Sequence, residues 1–205
     1  MGEIVPPTPN EVVALIGAAA PWFRIAVVLG AGLGVRQAEA AGLTVDRIDW
    51  LGRTVLVDRQ WTSRRGVCGF GPPKTESSHR SIPASSWVLD ALSEHVGRRH
   101  EGFVLHRDAG PVRHGTFNGW WVRARDDVGL EGMRFHDLRH GFASALISAG
   151  CSVKVVQRAL GHASASTTLD VYGHLWPGDE DRIRAAVDQA LGPAEDQLRT
   201  VQPLR

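Results

Sequence analysis

Tyrosine, lysine and cysteine are all scarce in this chain of 205 residues. Its two cysteines, Cys68 and Cys151, are far apart, so they give neither a disulfide framework nor the paired spacing of a metal-binding motif. An apolar run of about eighteen residues is lacking, and so is a secretory segment at the N-terminus, which predicts no membrane span and no signal peptide. We therefore expect a soluble protein of the reducing cytoplasm.

Positive charge comes almost entirely from arginine. Lys74 and Lys154 are the only lysines, which leaves 21 arginines among the 23 basic residues. The planar fork of arginine suits phosphate, but a GC-rich coding sequence explains the preference more simply. A net charge of +1 and a hydrophobic content of 43% are ordinary for a globular protein, and this length favours a single packed core.

Sequence periodicity predicts a mostly α-helical α+β fold with a small antiparallel β-sheet near the N-terminal third. A capping box with proline at the first helical position starts a helix at Thr8. A glycine-rich break should follow residue 29, and β-branched residues predict strands at 53–57 and 80–83, joined through a long loop over 66–78. Further helices are predicted near 36–41, 85–98, 115–128, 136–149, 152–160, 165–172 and 180–191, with a disordered tail over 192–205.

One predicted helix carries a cluster of polar side chains. From residue 136 onward, helical spacing places His136, Arg139 and His140 together beside the apolar stripe. A solvated face would explain so short a motif. The i, i+4 histidines also have the spacing of a zinc-binding helix, but Asp137 stands where a metallohydrolase has glutamate, and Arg139 would repel a cation. We predict no metal site here.

Other cationic and titratable residues are candidates for phosphate chemistry. Arg36 follows a glycine-rich segment near a helix start, where anions are favoured, although the glycines do not form a dinucleotide-binding motif. Lys74 lies in the long loop, which suits a mobile proton donor, whereas Lys154 is expected on a solvated helix surface. His162 follows a glycine that should end a helix, and Tyr172, the only tyrosine, comes ten residues later.

Taken in order, these positions resemble the tyrosine recombinase family, also called phage integrases. The segment from Gly32 to Glu39 is similar to the family pattern Gly-Leu-x-Arg-x-x-Glu, with one extra residue before the arginine. Residues 73–83 resemble the hairpin that carries the family lysine. Residues 135–144 resemble its signature helix, and residues 160–174 resemble the segment that ends in the nucleophile. The resemblance covers about residues 8–191.

The resemblance implies a set of catalytic residues with no cofactor and no metal. The two arginines and the second histidine would bind the scissile phosphate, the first histidine would accept or relay the tyrosine proton, and the lysine would protonate the leaving 5′-oxygen. His140 and His174 are expected to be packing or supporting residues. The implied catalytic residues are Arg36, Lys74, His136, Arg139, His162 and the nucleophile Tyr172.

The implied activity is site-specific DNA recombination. DNA strands would be cleaved and rejoined through a 3′-phosphotyrosyl intermediate without ATP, for integration or excision of a phage or mobile element. Two alternatives stay open: a type IB topoisomerase-like nicking and closing activity, or a DNA-binding domain that is inactive without its N-terminal clamp.

The resemblance also implies a domain organisation and partners. Residues 1–178 would form the catalytic domain, and residues 179–191 a helix that docks either on its own domain, which we expect for an isolated domain, or on a neighbouring subunit. Because the family's N-terminal core-binding domain is missing, we expect a fragment that is monomeric alone. The full-length protein would form a tetramer on double-stranded DNA attachment sites at the nucleoid, with directionality or host architectural factors as further partners.

Overall fold

The computed structural model describes residues 5–64, 67–72, 76–107, 110–176, 180 and 183–190. Helices predominate and the sheets are small and antiparallel, which confirms the predicted α+β class. Within the described ranges, no helix is long and apolar enough to cross a lipid bilayer. The helices are α1 (Pro9–Ala18), α2 (Arg24–Leu33), α3 (Gln37–Gly42), α4 (Ser86–Val96), α5 (His114–Asp126), α6 (Phe135–Ser148), α7 (Val153–Leu160) and α8 (Ala165–Tyr172). The strands are β1 (Ile48–Asp49), β2 (Thr54–Val57), β3 (Gln60–Arg64), β4 (Val67–Gly71), β5 (Arg80–Pro83), β6 (His106–Arg107) and β7 (Gly110–Pro111).

Helix α2 runs through the main hydrophobic core and packs against α1, α4 and α6. The glycine-rich break predicted after residue 29 is wrong, because the helix continues to Leu33. Its glycines serve close packing instead: a Cβ on Gly30 would lie 2.7 Å from Cδ1 of Leu138. Gly34 then ends the helix with φ +61°, a left-handed conformation that favours glycine. The chain that follows, including Arg36, is thereby fixed close to α6.

The sheet region contains more strands than the sequence predicted. Strands β1, β2 and β5 form one antiparallel sheet, with Val55 opposite Ile82, as expected for the predicted pair. The long loop predicted over 66–78 is partly wrong, because β3 and β4 form a separate hairpin. Trp61 lies opposite Phe70 with ring centroids 5.2 Å apart, and cross-strand aromatic pairs of this kind stabilise a hairpin.

A second, smaller hydrophobic cluster joins α6, α7 and α8. Its buried members include Ile147, Val156 and Leu160, and it also contains Tyr172 at the end of α8. The tyrosine side chain is 2% exposed. Its place at the junction of three helices therefore fixes the aromatic ring, while the phenol oxygen at its end has a polar partner.

The helix predicted near the C-terminus is described over residues 183–190. All eight of these residues are exposed, including Ile183 at 60% and Val187 at 50%. Among the described residues, none covers its apolar side chains, and docking of this helix on its own domain or on a neighbouring subunit stays a prediction. The predicted tail over 192–205 lies outside the described residues.

Candidate active site

Arg36 is held at the start of α3 by a buried carboxylate. Glu39 is 4% exposed, and its Oε1 accepts a hydrogen bond from Nη1 of Arg36 at 2.7 Å while Oε2 accepts from the Arg36 backbone N–H at 2.9 Å. Nη2 of Arg80 also donates to Oε2 of Glu39, at 3.0 Å. Burial alone would raise the pKa of Glu39, but the hydrogen bond and charge of Arg80, with the charge of Arg36, keep it below its usual value. One carboxylate thus orients two guanidinium groups.

Arg139 is almost completely buried and connects the ends of two helices. It is 1% exposed, and its Nη1 donates to the carbonyl of Gly34 at 2.6 Å while Nη2 donates to the carbonyl of Leu160. Burial, with the nearby charges of Arg36 and Arg80, lowers the pKa of Arg139 to about 9, so the guanidinium stays protonated at neutral pH. The fold therefore places two cationic side chains, Arg36 and Arg139, in one cluster.

His162 reaches this cluster from the turn after α7. Gly161 ends α7 with φ +66°, and a Cβ at this glycine would lie 3.0 Å from Cδ of Arg80, so the turn tolerates little besides glycine. Nδ1 of His162 and Oγ1 of the buried Thr168 are 2.9 Å apart and hydrogen-bonded, which fixes the ring. Desolvation, with the charges of Arg139 and Arg36, lowers the pKa of His162 to about 4. The imidazole is neutral at physiological pH.

The hydroxyl of Tyr172 contacts a histidine that the sequence marked only as a packing or supporting residue. Nδ1 of His140 lies 2.7 Å from the phenol oxygen, and the His140 side chain is 6% exposed. Burial raises the pKa of Tyr172 to about 12, although the charge of Arg139 opposes the shift. The ring of Tyr172 also stacks parallel to that of His162, with centroids 6.5 Å apart. The phenol is therefore protonated and held between two imidazoles.

His136 occupies a different position from His140, although both lie on α6. Its ring is exposed on the wall of an open cleft of about 540 Å³. Desolvation in the cleft and the charge of Arg139 lower the pKa of His136 to about 4. Arg36 and Arg134 line the cleft with His136, and α5 contributes Asn118 from the opposite side. The positive lining suits a polyanion.

Lys74 lies outside the described residues, so its position in the site is not given by the structure. The chain is described again from residue 76, and Oγ of Ser78 accepts a hydrogen bond from Nη1 of Arg36 at 3.4 Å. The described chain that follows Lys74 therefore contacts Arg36 through Ser78, and the place of Lys74 in the site stays a prediction. Lys154, by contrast, is exposed on α7, as predicted.

The structure brings five of the six predicted residues into one cluster and adds others that sequence analysis did not assign. Two arginines that lie close together need a counter-ion. Glu39, three residues after Arg36, has the spacing of a residue that caps a helix start, and it also falls in the family pattern Gly-Leu-x-Arg-x-x-Glu. These were the signals that the sequence offered. Glu39, Arg80 and Thr168 support the cluster without having been assigned a role, and His140, expected only as a packing or supporting residue, contacts the phenol.

Comparison with known proteins identifies the family. The sequence pattern of the phage integrase family matches residues 8–177. The chain belongs to the phage integrase family. Among its relatives in this family, the ICEBs1 integrase of Bacillus subtilis is 28% identical over 170 residues, which cover 77% of the chain and 46% of that protein. Tyrosine recombinase XerC of Mycobacterium tuberculosis is 33% identical over 177 residues, or 82% of the chain and 53% of that protein. This phage integrase chain therefore spans about half the length of these relatives.

Solved structures of integrases share the fold. The Tn1549 transposon integrase, in complex with a circular intermediate DNA, matches with a TM-score of 0.76 and 23% identity over 93% of this chain and 67% of its own. The catalytic domain of bacteriophage HP1 integrase matches with a TM-score of 0.57 and 22% identity over 85% and 90% of the two chains. At this level of identity the likeness establishes the integrase catalytic-domain fold.

Proposed function

We propose that this phage integrase chain is the strand-transfer part of a site-specific DNA recombinase and that Tyr172 is its nucleophile. The observation that carries the proposal is the position of the only tyrosine, whose hydroxyl lies in a cluster with Arg139, His140 and His162. The family and the names of the relatives, which are integrases and Xer recombinases, support it. Integration or excision of a phage or mobile element is the process that fits best.

The cluster supplies the charges that attack at a phosphodiester requires. A phenol is a weak nucleophile until the charge on the phosphate is neutralised and its proton is removed. Among the described residues, Arg36 has side-chain partners only on Nη1, so Nε and Nη2 are available to a phosphate oxygen. Arg139 uses two of its five N–H donors on backbone carbonyls and retains the others. With His162 these groups would stabilise the five-coordinate transition state.

In the proposed step the phenol oxygen of Tyr172 bonds to phosphorus while the bond from phosphorus to O5′ breaks. The phenol proton leaves to a base and the O5′ atom takes a proton from an acid. We assign the acid to Lys74, because the family resemblance implies a lysine at this position and Ser78, four residues later, accepts a hydrogen bond from Arg36. The product is a 3′-phosphotyrosine and a free 5′-hydroxyl. Attack by a 5′-hydroxyl of a partner strand reverses the step, so the bond energy is retained and no nucleotide cofactor is consumed.

Double-stranded DNA at an attachment site is the proposed substrate, and the cleft beside the cluster is its proposed binding surface. Arg36, Arg134 and His136 would face the phosphate backbone, and α5 would lie against the adjoining duplex. The full-length protein would act as a tetramer on DNA with directionality or architectural factors. We assign the exposed Ile183 and Val187 to contact with a neighbouring subunit, since no described residue of this chain covers them.

The nucleophile is tested with a nicked suicide substrate that traps the covalent intermediate. The protein is incubated with this DNA in EDTA, and adducts are separated on a denaturing gel. The parent should form an adduct, and Tyr172→Phe should form none while still binding DNA. Because the chain has one tyrosine, mass spectrometry of the adduct should find phosphotyrosine in a single peptide. Adduct formation by Tyr172→Phe would refute the proposal. Rejoining to a partner strand distinguishes a recombinase from a topoisomerase-like enzyme.

The role of Lys74 has its own test, with the other lysine as a matched control. Lys74→Ala should slow cleavage, whereas Lys154→Ala, on the exposed surface of α7, should not. Substitution of sulfur for the bridging O5′ gives a leaving group that does not need a proton. This substrate should restore cleavage by Lys74→Ala, and failure to restore it would remove the general-acid assignment.

A further inference from the structure

We infer that His140, rather than His136, is the catalytic base that takes the proton of Tyr172. The inference deepens the proposed function and rests on it. It starts from geometry: Nδ1 of His140 is the polar atom that the structure places in hydrogen-bond contact with the phenol oxygen, at 2.7 Å. A general base must lie within this reach of the proton that it removes. Both side chains are buried, at 6% and 2% exposure, so the contact is shielded from water.

His136 lies farther from the phenol and faces the cleft. Its ring is exposed there, and its centroid lies 5.0 Å from that of His140, one helical turn away. No hydrogen bond joins His136 to Tyr172 among the described residues. Helix α6 therefore directs its two histidines to different places: His136 faces the cleft, and His140 contacts the nucleophile.

The charges around His140 suit a base that is neutral at rest and protonated only during the reaction. Burial lowers the pKa of His140, and the charges of Arg134 and Arg139 act in the same direction, while the carboxylate of Asp137 opposes them. The remaining polar groups that face it are the His136 ring and the phenol of Tyr172. In the proposed mechanism, the resting imidazole accepts the phenol O–H at Nδ1. Asp137, three residues earlier on the same helix, favours the imidazolium once the proton has moved.

The step balances without a further reactant. As the phenol oxygen bonds to phosphorus and the phosphorus–O5′ bond breaks, the phenol proton moves to Nδ1 of His140, and O5′ receives its proton from the general acid. In the reverse step, a 5′-hydroxyl attacks the phosphotyrosine, and the His140 imidazolium returns the proton to the departing phenolate. The same nitrogen thus serves cleavage and rejoining.

Tautomer state gives a test that requires neither DNA nor a variant. NMR of the nitrogen-labelled chain at neutral pH should find His140 with Nδ1 unprotonated and Nε2 protonated. An Nδ1–H tautomer, or an imidazolium, would overturn the inference, because that nitrogen could not accept a proton from the phenol. This result stands even if the chain proves inactive on DNA.

Kinetics on the suicide substrate separate a base from a residue that only positions the phenol. His140→Asn keeps a hydrogen-bond acceptor on a short side chain but cannot carry the proton. We expect adduct formation to slow by about 100-fold or more, with unchanged DNA binding, and the remaining rate to rise with pH as hydroxide replaces the base. The matched control, His100→Asn, changes an exposed histidine shortly after α4 and should keep the parental rate and pH profile.

Two kinetic results would contradict the assignment. A rate for His140→Asn within about tenfold of the parent, with the parental pH profile, would reduce His140 to a positioning residue. A hydroxide-dependent rise of the remaining rate in His136→Asn, but not in His140→Asn, would assign the base to His136. Failure of the parent to form an adduct, or an adduct in Tyr172→Phe, would instead refute the proposed function. The tautomer measurement would then still decide whether Nδ1 of His140 accepts a hydrogen bond from the phenol.

Discussion

Replacing Glu39 with glutamine tests the buried network that holds Arg36 and Arg80. Glu39 is 4% exposed and accepts hydrogen bonds from Arg36 at 2.7 Å and from Arg80 at 3.0 Å. Glutamine keeps the shape but removes the charge, and its amide donors face guanidinium donors. Loss of one partner from a buried ion pair typically costs about 3–5 kcal/mol. A loss of that size in a domain of this length lowers the melting temperature by roughly 6–20 °C.

Urea unfolding monitored by circular dichroism measures this loss. The control is Glu94→Gln, which removes an exposed carboxylate from α4 and should change the free energy of unfolding by no more than about 0.5 kcal/mol. The pH dependence gives a second check. Because Arg80 and Arg36 lower the pKa of folded Glu39, the stability due to its charge is complete above the ordinary value of 4.5 and is lost as pH falls through the lower folded value. A Glu39→Gln protein within about 1 kcal/mol of the parent would show that this carboxylate is not needed to hold the arginines.

Three further outcomes follow from packing, hydrogen bonding and protonation. Gly30→Ala should destabilise the fold by about 1–3 kcal/mol, since the new Cβ would lie 2.7 Å from a Leu138 methyl carbon. Gly17→Ala, in α1, meets open space and should stabilise the fold by about 0.5–1 kcal/mol. Similar urea midpoints for the two variants would contradict this. Thr168→Val removes the hydroxyl that holds His162 and should slow adduct formation by about 10- to 100-fold, whereas the exposed Thr167→Val should retain the parental rate; equal rates would exclude the positioning role. Folded His162 has a pKa near 4, against 6.5 in the unfolded chain, so stability should rise with pH between these values. In thermal melts, His162→Gln should flatten this rise of stability with pH. An unchanged rise would show that His162 protonates equally in the folded and unfolded states.

Short-range patterns were predicted well because they depend on neighbouring residues. The capping box at Thr8 and Glu11 forms as its spacing indicates, and the β2–β5 pairing follows from β-branched residues. The glycines after residue 29 were misjudged for a physical reason. A glycine is a helix breaker in isolation, but inside a packed core its missing Cβ admits the neighbouring helix, and which of these applies depends on Leu138, more than a hundred residues away.

The order and spacing of Arg36, Arg139, His162 and Tyr172 were determined by the sequence itself, since each falls in a local motif with its own helix cap or turn. Tertiary structure alone decided which histidine meets the phenol. His136 and His140 lie on one face of α6, and their spacing does not distinguish them. Helix α8 packs against α7, and α7 packs against α6. The apolar residues of all three helices share one cluster, and this arrangement places the Tyr172 hydroxyl at His140. Local sequence therefore supplies two candidate bases, His136 and His140, and packing between residues distant in sequence decides that His140 contacts the phenol.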